Sequence, residues 1–73
     1  MMNNERSDKV VGFKIKEYRE EKKLSQSELA RISNVSRTTI NGLENGTITV
    51  TTTETLLKIA EALGKKVAEI FLE

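Results

Sequence analysis

The sequence predicts a compact all-α domain of five short helices. Three observations predict it. Apolar residues recur at the three- and four-residue spacing of a helix face along most of the chain. The periodic runs are separated by helix punctuation: Ser25-x-x-Glu28, Asn34, Ser36, Asn45-Gly46 and Gly64. Proline is absent, and the one alternating stretch, residues 47–52, holds two apolar residues, too few for an independent strand.

Composition narrows the chemistry. The chain has 73 residues, about half of a typical domain, so one folded unit is expected. A domain this small needs staples, well-formed helices or a partner subunit. Cys and His are both absent, which removes disulfides, zinc sites of the usual ligand types, thiol chemistry and histidine bases. Only three aromatics are present, too few for a base-stacking platform. No apolar run is long enough for a membrane span or a signal-peptide core, so a cytoplasmic location is expected. The net charge of +1 is not the strongly basic balance common in nucleic-acid binders. Any anion-binding face must therefore be made by placement rather than by bulk charge.

Residues 1–8 are polar and aperiodic and read as a lead-in; the domain proper is expected over 9–73. The first helix runs from Lys9 or Val10 to Lys23, with Val11, Ile15, Tyr18 and Lys22 on one face. Phe13 lies off that stripe, over the lead-in or at a subunit contact. The second helix starts at a capping box, Ser25-x-x-Glu28, with Leu24 stapled onto Leu29, and ends near Ser33. Asn34 suits the left-handed turn that follows. Ser36 caps the third helix, which turns Ile40, Leu43 and Glu44 inward and leaves Arg37, Thr38, Asn41, Gly42 and Asn45 outward or flanking. Two short helices joined by so tight a turn follow the helix-turn-helix plan. Thr51 or Thr52 caps the fourth helix, with Thr51-x-x-Glu54 as a possible box, and Gly64 ends it after Leu56, Ile59, Ala60 and Leu63. A fifth helix is expected over about 66–72, with Val67, Ile70 and Phe71 inward.

No two acids converge in the pattern, no glycine-rich phosphate loop is present, and Ser25 and Ser36 are accounted for as caps, so an enzyme is not expected. The third helix offers a different chemistry. A B-DNA major groove admits one helix and is read by hydrogen-bonding side chains. Arg37 can donate twice to guanine, Asn41 can pair twice with adenine, and the Thr38 methyl suits thymine. Gln26, in the first turn of the second helix, can reach a phosphate through its side chain, beside the free amides of two helix starts. An ordinary solvated face would use the same residue types. Gly42 inside a helix costs roughly 1 kcal/mol relative to Ala, which either a close backbone approach, to DNA or a neighbouring helix, or chance would explain.

Five segments then carry a resemblance. They are Val11-Gly12-x-x-Ile15-Lys16-x-Tyr18-Arg19, Leu24-Ser25-Gln26-x-Glu28-Leu29-Ala30, Val35-Ser36-Arg37-x-Thr39-Ile40, Leu43-Glu44-Asn45-Gly46 and Leu56-Leu57-x-Ile59-Ala60-x-Ala62-Leu63-Gly64. In this order they resemble the phage repressor and Cro type of helix-turn-helix domain, the XRE family, over about residues 10–72. The resemblance implies a lambda-repressor-like five-helix domain that binds double-stranded DNA, usually as a homodimer, and regulates transcription without a cofactor or small-molecule substrate. It also implies roles by position. Arg37, Thr38 and Asn41 face base edges. Gln26, Thr39 and Asn45 contact phosphates, and Gln26 also helps orient the first reading residue. Arg19 and Glu44 form a structural ion pair.

The sequence departs from the family in two places. The loop 47–53 carries no Lys or Arg, which implies fewer neutralised phosphates and a shallower salt dependence. Lys65 and Lys66 replace a more apolar, Ser-capped start of the fifth helix. Ile48 and Val50 pack on the core or meet a partner. Leu57, Phe71, Leu72 and the 48–50 loop are the candidates for a subunit contact. Two other readings fit the same residues: a DNA-binding antitoxin or restriction-modification controller, and a protein-interaction module that uses the third helix on protein instead of DNA.

Overall fold

The computed structural model describes residues 14–49 and 51–71. Val10, Val11, Gly12, Phe13, Val50, Leu72 and the lead-in, on which several expectations rest, lie outside the described residues. Within them are five α-helices and no strand: α1 (Ile15–Glu21), α2 (Gln26–Ser33), α3 (Arg37–Asn45), α4 (Thr53–Leu63) and α5 (Val67–Phe71).

Each helix boundary has a local cause. The Ser25 hydroxyl accepts from the Glu28 amide at 3.0 Å, and the Glu28 carboxylate accepts from the Ser25 amide at 2.8 Å, closing the expected box. Asn34 ends α2 in the left-handed conformation (φ 63°) and donates its N–H to the Ala30 carbonyl. Ser36 caps α3 by accepting from the Thr39 amide. Gly46 and Gly64 end α3 and α4 at φ 86° and 69°. The α4 cap is Thr52, accepting from the Thr55 amide, so the Thr51–Glu54 box does not form. Helix α1 stops two residues earlier than its periodicity suggests. Lys23 takes φ 56°, and the Leu24 N–H turns back to the Arg19 carbonyl at 3.0 Å. No Gly or Asn marks that turn. At α5 the missing Ser cap is offset from the other side: the Glu69 carboxylate accepts from the Lys66 amide at 2.8 Å. Lys65 places its ammonium 4.6 Å from the centre of the Tyr18 ring, which ties the α4–α5 junction to α1.

The core is one cluster drawn from all five helices and the α2–α3 turn. Ile15, Leu29, Val35, Ile40, Leu43, Ile59, Ala60, Leu63, Ile70 and Phe71 are buried. Helix α2 packs on both α3 and α4, which fixes the turn between α2 and α3. Phe71 belongs to this core and is therefore withdrawn from the candidates for a subunit contact. Leu57 and Ile32 remain exposed.

Gly42 is buried rather than outward, and its neighbour explains it. Ile48 folds back over α3, and its amide donates to the Gly42 carbonyl at 3.0 Å. A Cβ at position 42 would fall onto Cδ1 and within 2.5 Å of Cγ1 of Ile48. The glycine thus admits the loop, and Ile48 packs on the core. Overpacking of this kind costs about 1–3 kcal/mol, against roughly 1 kcal/mol of helix propensity gained by Ala. Gly42→Ala is therefore expected to lower the urea midpoint by an amount equivalent to about 1 kcal/mol. In an Ile48→Ala background the same change should cost nothing or stabilise. A Gly42→Ala variant more stable than the parent would contradict this packing.

Candidate nucleic-acid interface

Helix α3 has two chemically distinct sides. Ile40 and Leu43 are fully buried on one. Arg37, Thr38 and Asn41 project from the other and line an open concavity of about 370 Å³. The helical repeat puts residues 37, 38 and 41 together on that side, one turn apart. The Arg37 guanidinium and the Thr38 hydroxyl have no hydrogen-bond or ionic partner among the described residues. The concavity thus presents a planar cation, a hydroxyl and an amide, and among the described residues nothing satisfies the first two.

A polar network supports this face from behind. Arg19 is 8% exposed, although it lies on α1 beside charged neighbours. Its Nε donates to Glu44 Oε2 at 2.8 Å and its Nη2 to Glu44 Oε1 at 3.0 Å, a forked pair across α1 and α3. Its Nη1 donates to the Leu24 carbonyl at 2.8 Å, which also holds the α1–α2 turn. The Glu44 hydrogen bond raises the guanidinium pKa above its usual value and outweighs the opposing effect of burial. The pair expected from the resemblance is therefore present, with side chains 10% and 5% exposed.

Gln26 joins this network. Its Nε2 donates to Glu44 Oε1 at 3.0 Å and to Asn41 Oδ1 at 3.2 Å. Both amide hydrogens thus have acceptors on α3, the bond to Asn41 at an exposed position. Its backbone N–H, at the first position of α2, has no acceptor among the described residues. The resemblance gives Gln26 an orienting role toward a reading residue; the bridge to both Asn41 and Glu44 is what the structure adds. Its only sequence signal is that Asn41 and Glu44 stand three apart on α3, and nothing local places Gln26 against both.

Thr39 and Asn45 flank the face. The Thr39 hydroxyl accepts from Ser36 at 2.9 Å, which leaves its own hydrogen to donate elsewhere. Asn45 Oδ1 accepts from the amide and the hydroxyl of Thr47, so its NH2 group keeps its donors. No group of three or more Asp or Glu among the described residues is placed to hold a metal ion. No helix among them is long and apolar enough to cross a membrane.

A helix-turn-helix family model matches residues 15–70, from the start of α1 into α5. This chain belongs to the XRE family of helix-turn-helix proteins. No significant match was found among curated proteins or among solved structures. In this XRE-family domain α2 and α3 are the two helices of the DNA-binding motif. The second of them, the one a helix-turn-helix inserts into the major groove, is the helix that carries Arg37, Thr38 and Asn41.

Proposed function

We propose that this XRE-family domain is a transcriptional regulator that binds a specific inverted-repeat operator as a homodimer, with α3 in the major groove. The observation that carries the reading is the α3 concavity, where Arg37, Thr38 and Asn41 stand exposed over a packed inner side. Arg37, Thr38 and Asn41 read base edges. Phosphates are held by groups that keep a donor after their internal bonds are counted: the Gln26 backbone N–H, the Thr39 hydroxyl and the Asn45 NH2. Arg19 and Glu44 hold α1 and α3 together and touch no DNA. The exposed Leu57 side chain is offered for the contact between subunits.

Two-fold pairing sets the two copies of α3 about 34 Å apart, one turn of B-DNA. Among the described residues, Arg37 is the cation that lines the α3 concavity, and the 47–49 loop brings none. Salt dependence is accordingly present but shallow.

The test is selection of bound duplexes from a random pool, followed by salt titration on the selected and on a random duplex. The expected result is two inverted half-sites centred about one helical turn apart, with affinity falling as salt rises. Binding without a repeated half-site, or binding indifferent to salt, would contradict the proposal.

A further inference from the structure

The outer side of α3 continues past Asn41. Residue 42 stands one turn beyond Thr38, about 6 Å further along the helix. A side chain there would border the concavity that Arg37, Thr38 and Asn41 line. Gly42 supplies no side chain, yet it is buried. What covers it is Ile48. A Cβ built at position 42 would fall onto Ile48 Cδ1 and lie 3.1 Å from Ile48 Cβ. The Ile48 side chain thus fills the place that a residue-42 side chain would take, and it is itself only half-buried.

The loop that delivers Ile48 is tied to α3 at two points. The Ile48 amide donates to the Gly42 carbonyl at 3.0 Å. Asn45 Oδ1 accepts from the Thr47 amide at 3.0 Å and from its hydroxyl at 2.9 Å. The apolar tip is therefore held against the helix before any ligand arrives, and little ordering is left to be done on binding. Residues 47–49 carry no cation, so this edge of the face has no charge to draw in a phosphate. The apolar group that a base pair offers in the major groove is the thymine 5-methyl.

We infer that Ile48 is a further specificity-determining residue: it covers Gly42 from the α3–α4 loop and meets the 5-methyl of a thymine that lies beyond the base facing Thr38. This rests on the base-reading role proposed above for α3. Contact between two apolar groups removes both from water and leaves no hydrogen-bonding group stranded. A cytosine in the same place would set its N4 amine, a donor, against a methyl group that cannot accept. The discrimination thus comes from a loop residue seated on a glycine, on a helix whose other readers are polar.

The test uses the selected duplex with each thymine replaced in turn by uracil, which differs only in lacking the 5-methyl. For the parent protein, each half-site is expected to hold a thymine whose replacement weakens binding about fourfold, the worth of one buried methyl-sized group. That loss should persist in Thr38→Ser, which lacks the threonine methyl. In Ile48→Ala, thymine and uracil at that position should bind within roughly 1.5-fold of each other. In Gly42→Ala/Ile48→Ala the alanine methyl falls where Ile48 Cδ1 stood, and a preference for thymine of about twofold or more should return. The thymine-to-uracil ratio within one variant is not moved by a change in its stability. Thermal melts show whether each variant is folded. Ile48→Thr, which keeps the branched Cβ and puts a hydroxyl in place of Cγ1, replaces Ile48→Ala if the latter is not.

Three results overturn the inference: no thymine whose methyl matters in Thr38→Ser, a thymine preference untouched in folded Ile48→Ala or Ile48→Thr, or no return of the preference in the folded double variant. Each leaves the reading role of α3 standing where Arg37→Ala still relaxes one base pair. A protein that binds no duplex overturns the DNA-binding reading with it.

Discussion

Arg19→Met is expected to destabilise the domain by about 3–5 kcal/mol, the range for breaking one half of a buried ion pair. The cost arises mainly from what is left behind. Glu44 has a side chain only 5% exposed, and its carboxylate would retain one neutral donor, Gln26. The Leu24 carbonyl would also lose the Arg19 Nη1 donor at the α1–α2 turn. A domain of this length has a total stability of roughly 4–11 kcal/mol, so the loss removes a large share of it. Urea unfolding would show a midpoint shifted far down at unchanged slope. Arg19→Lys should recover only part, because an ammonium cannot make the fork to Glu44 and reach Leu24 together. The double variant Arg19→Met/Glu44→Met should recover much of the stability, since well-packed apolar residues often replace a buried pair at little cost. An Arg19→Met variant as stable as the parent would show that the pair contributes nothing.

Arg37→Ala is expected to weaken binding to the selected duplex by roughly 1–3 kcal/mol and to relax discrimination at one base pair. Stability should hardly change, because Arg37 is exposed and makes no ion pair or hydrogen bond among the described residues. The informative quantity is the difference between two duplexes. A base contact costs more on the selected duplex than on a random one, whereas a phosphate contact costs the same on both and lowers the salt slope. Equal losses would assign Arg37 to the phosphate backbone.

Helix boundaries were largely readable from single residues, because capping is local chemistry. Ser25 with Glu28, Ser36, Asn34, Gly46 and Gly64 each act within one turn of where they stand. The inner faces of α3 and α4 were readable for a related reason: Ile40, Leu43, Ile59 and Leu63 repeat at the period of the helix. What escaped was set by groups distant in sequence or by strain without a residue signature. Lys23 adopts a left-handed backbone that its side chain does not favour, because the Leu24 N–H must return to Arg19 and the Leu24 carbonyl must meet the guanidinium. Gly42 is buried only because Ile48, six residues on, folds across it. Arg19 stands one turn after Ile15, at the edge of the α1 stripe, where its charge argues against burial, and its pairing with Glu44 was expected from the family resemblance. For the interface, the exposed triad on α3 was readable from the helical repeat. The partners of the Gln26 bridge were not, since it joins residues fifteen and eighteen apart through a single amide.

The account stands on the outer side of α3 lying against base edges in the major groove. Methylation interference on the selected duplex tests this most directly, because guanine N7 lies in the major groove and adenine N3 in the minor groove. The account predicts that methylated guanine N7 blocks binding at two clusters, one per half-site, about 34 Å apart, and that the Arg37→Ala variant loses the block at one guanine in each. Binding that tolerates every methylated N7, or that is blocked only at adenine N3, would place α3 elsewhere and contradict it.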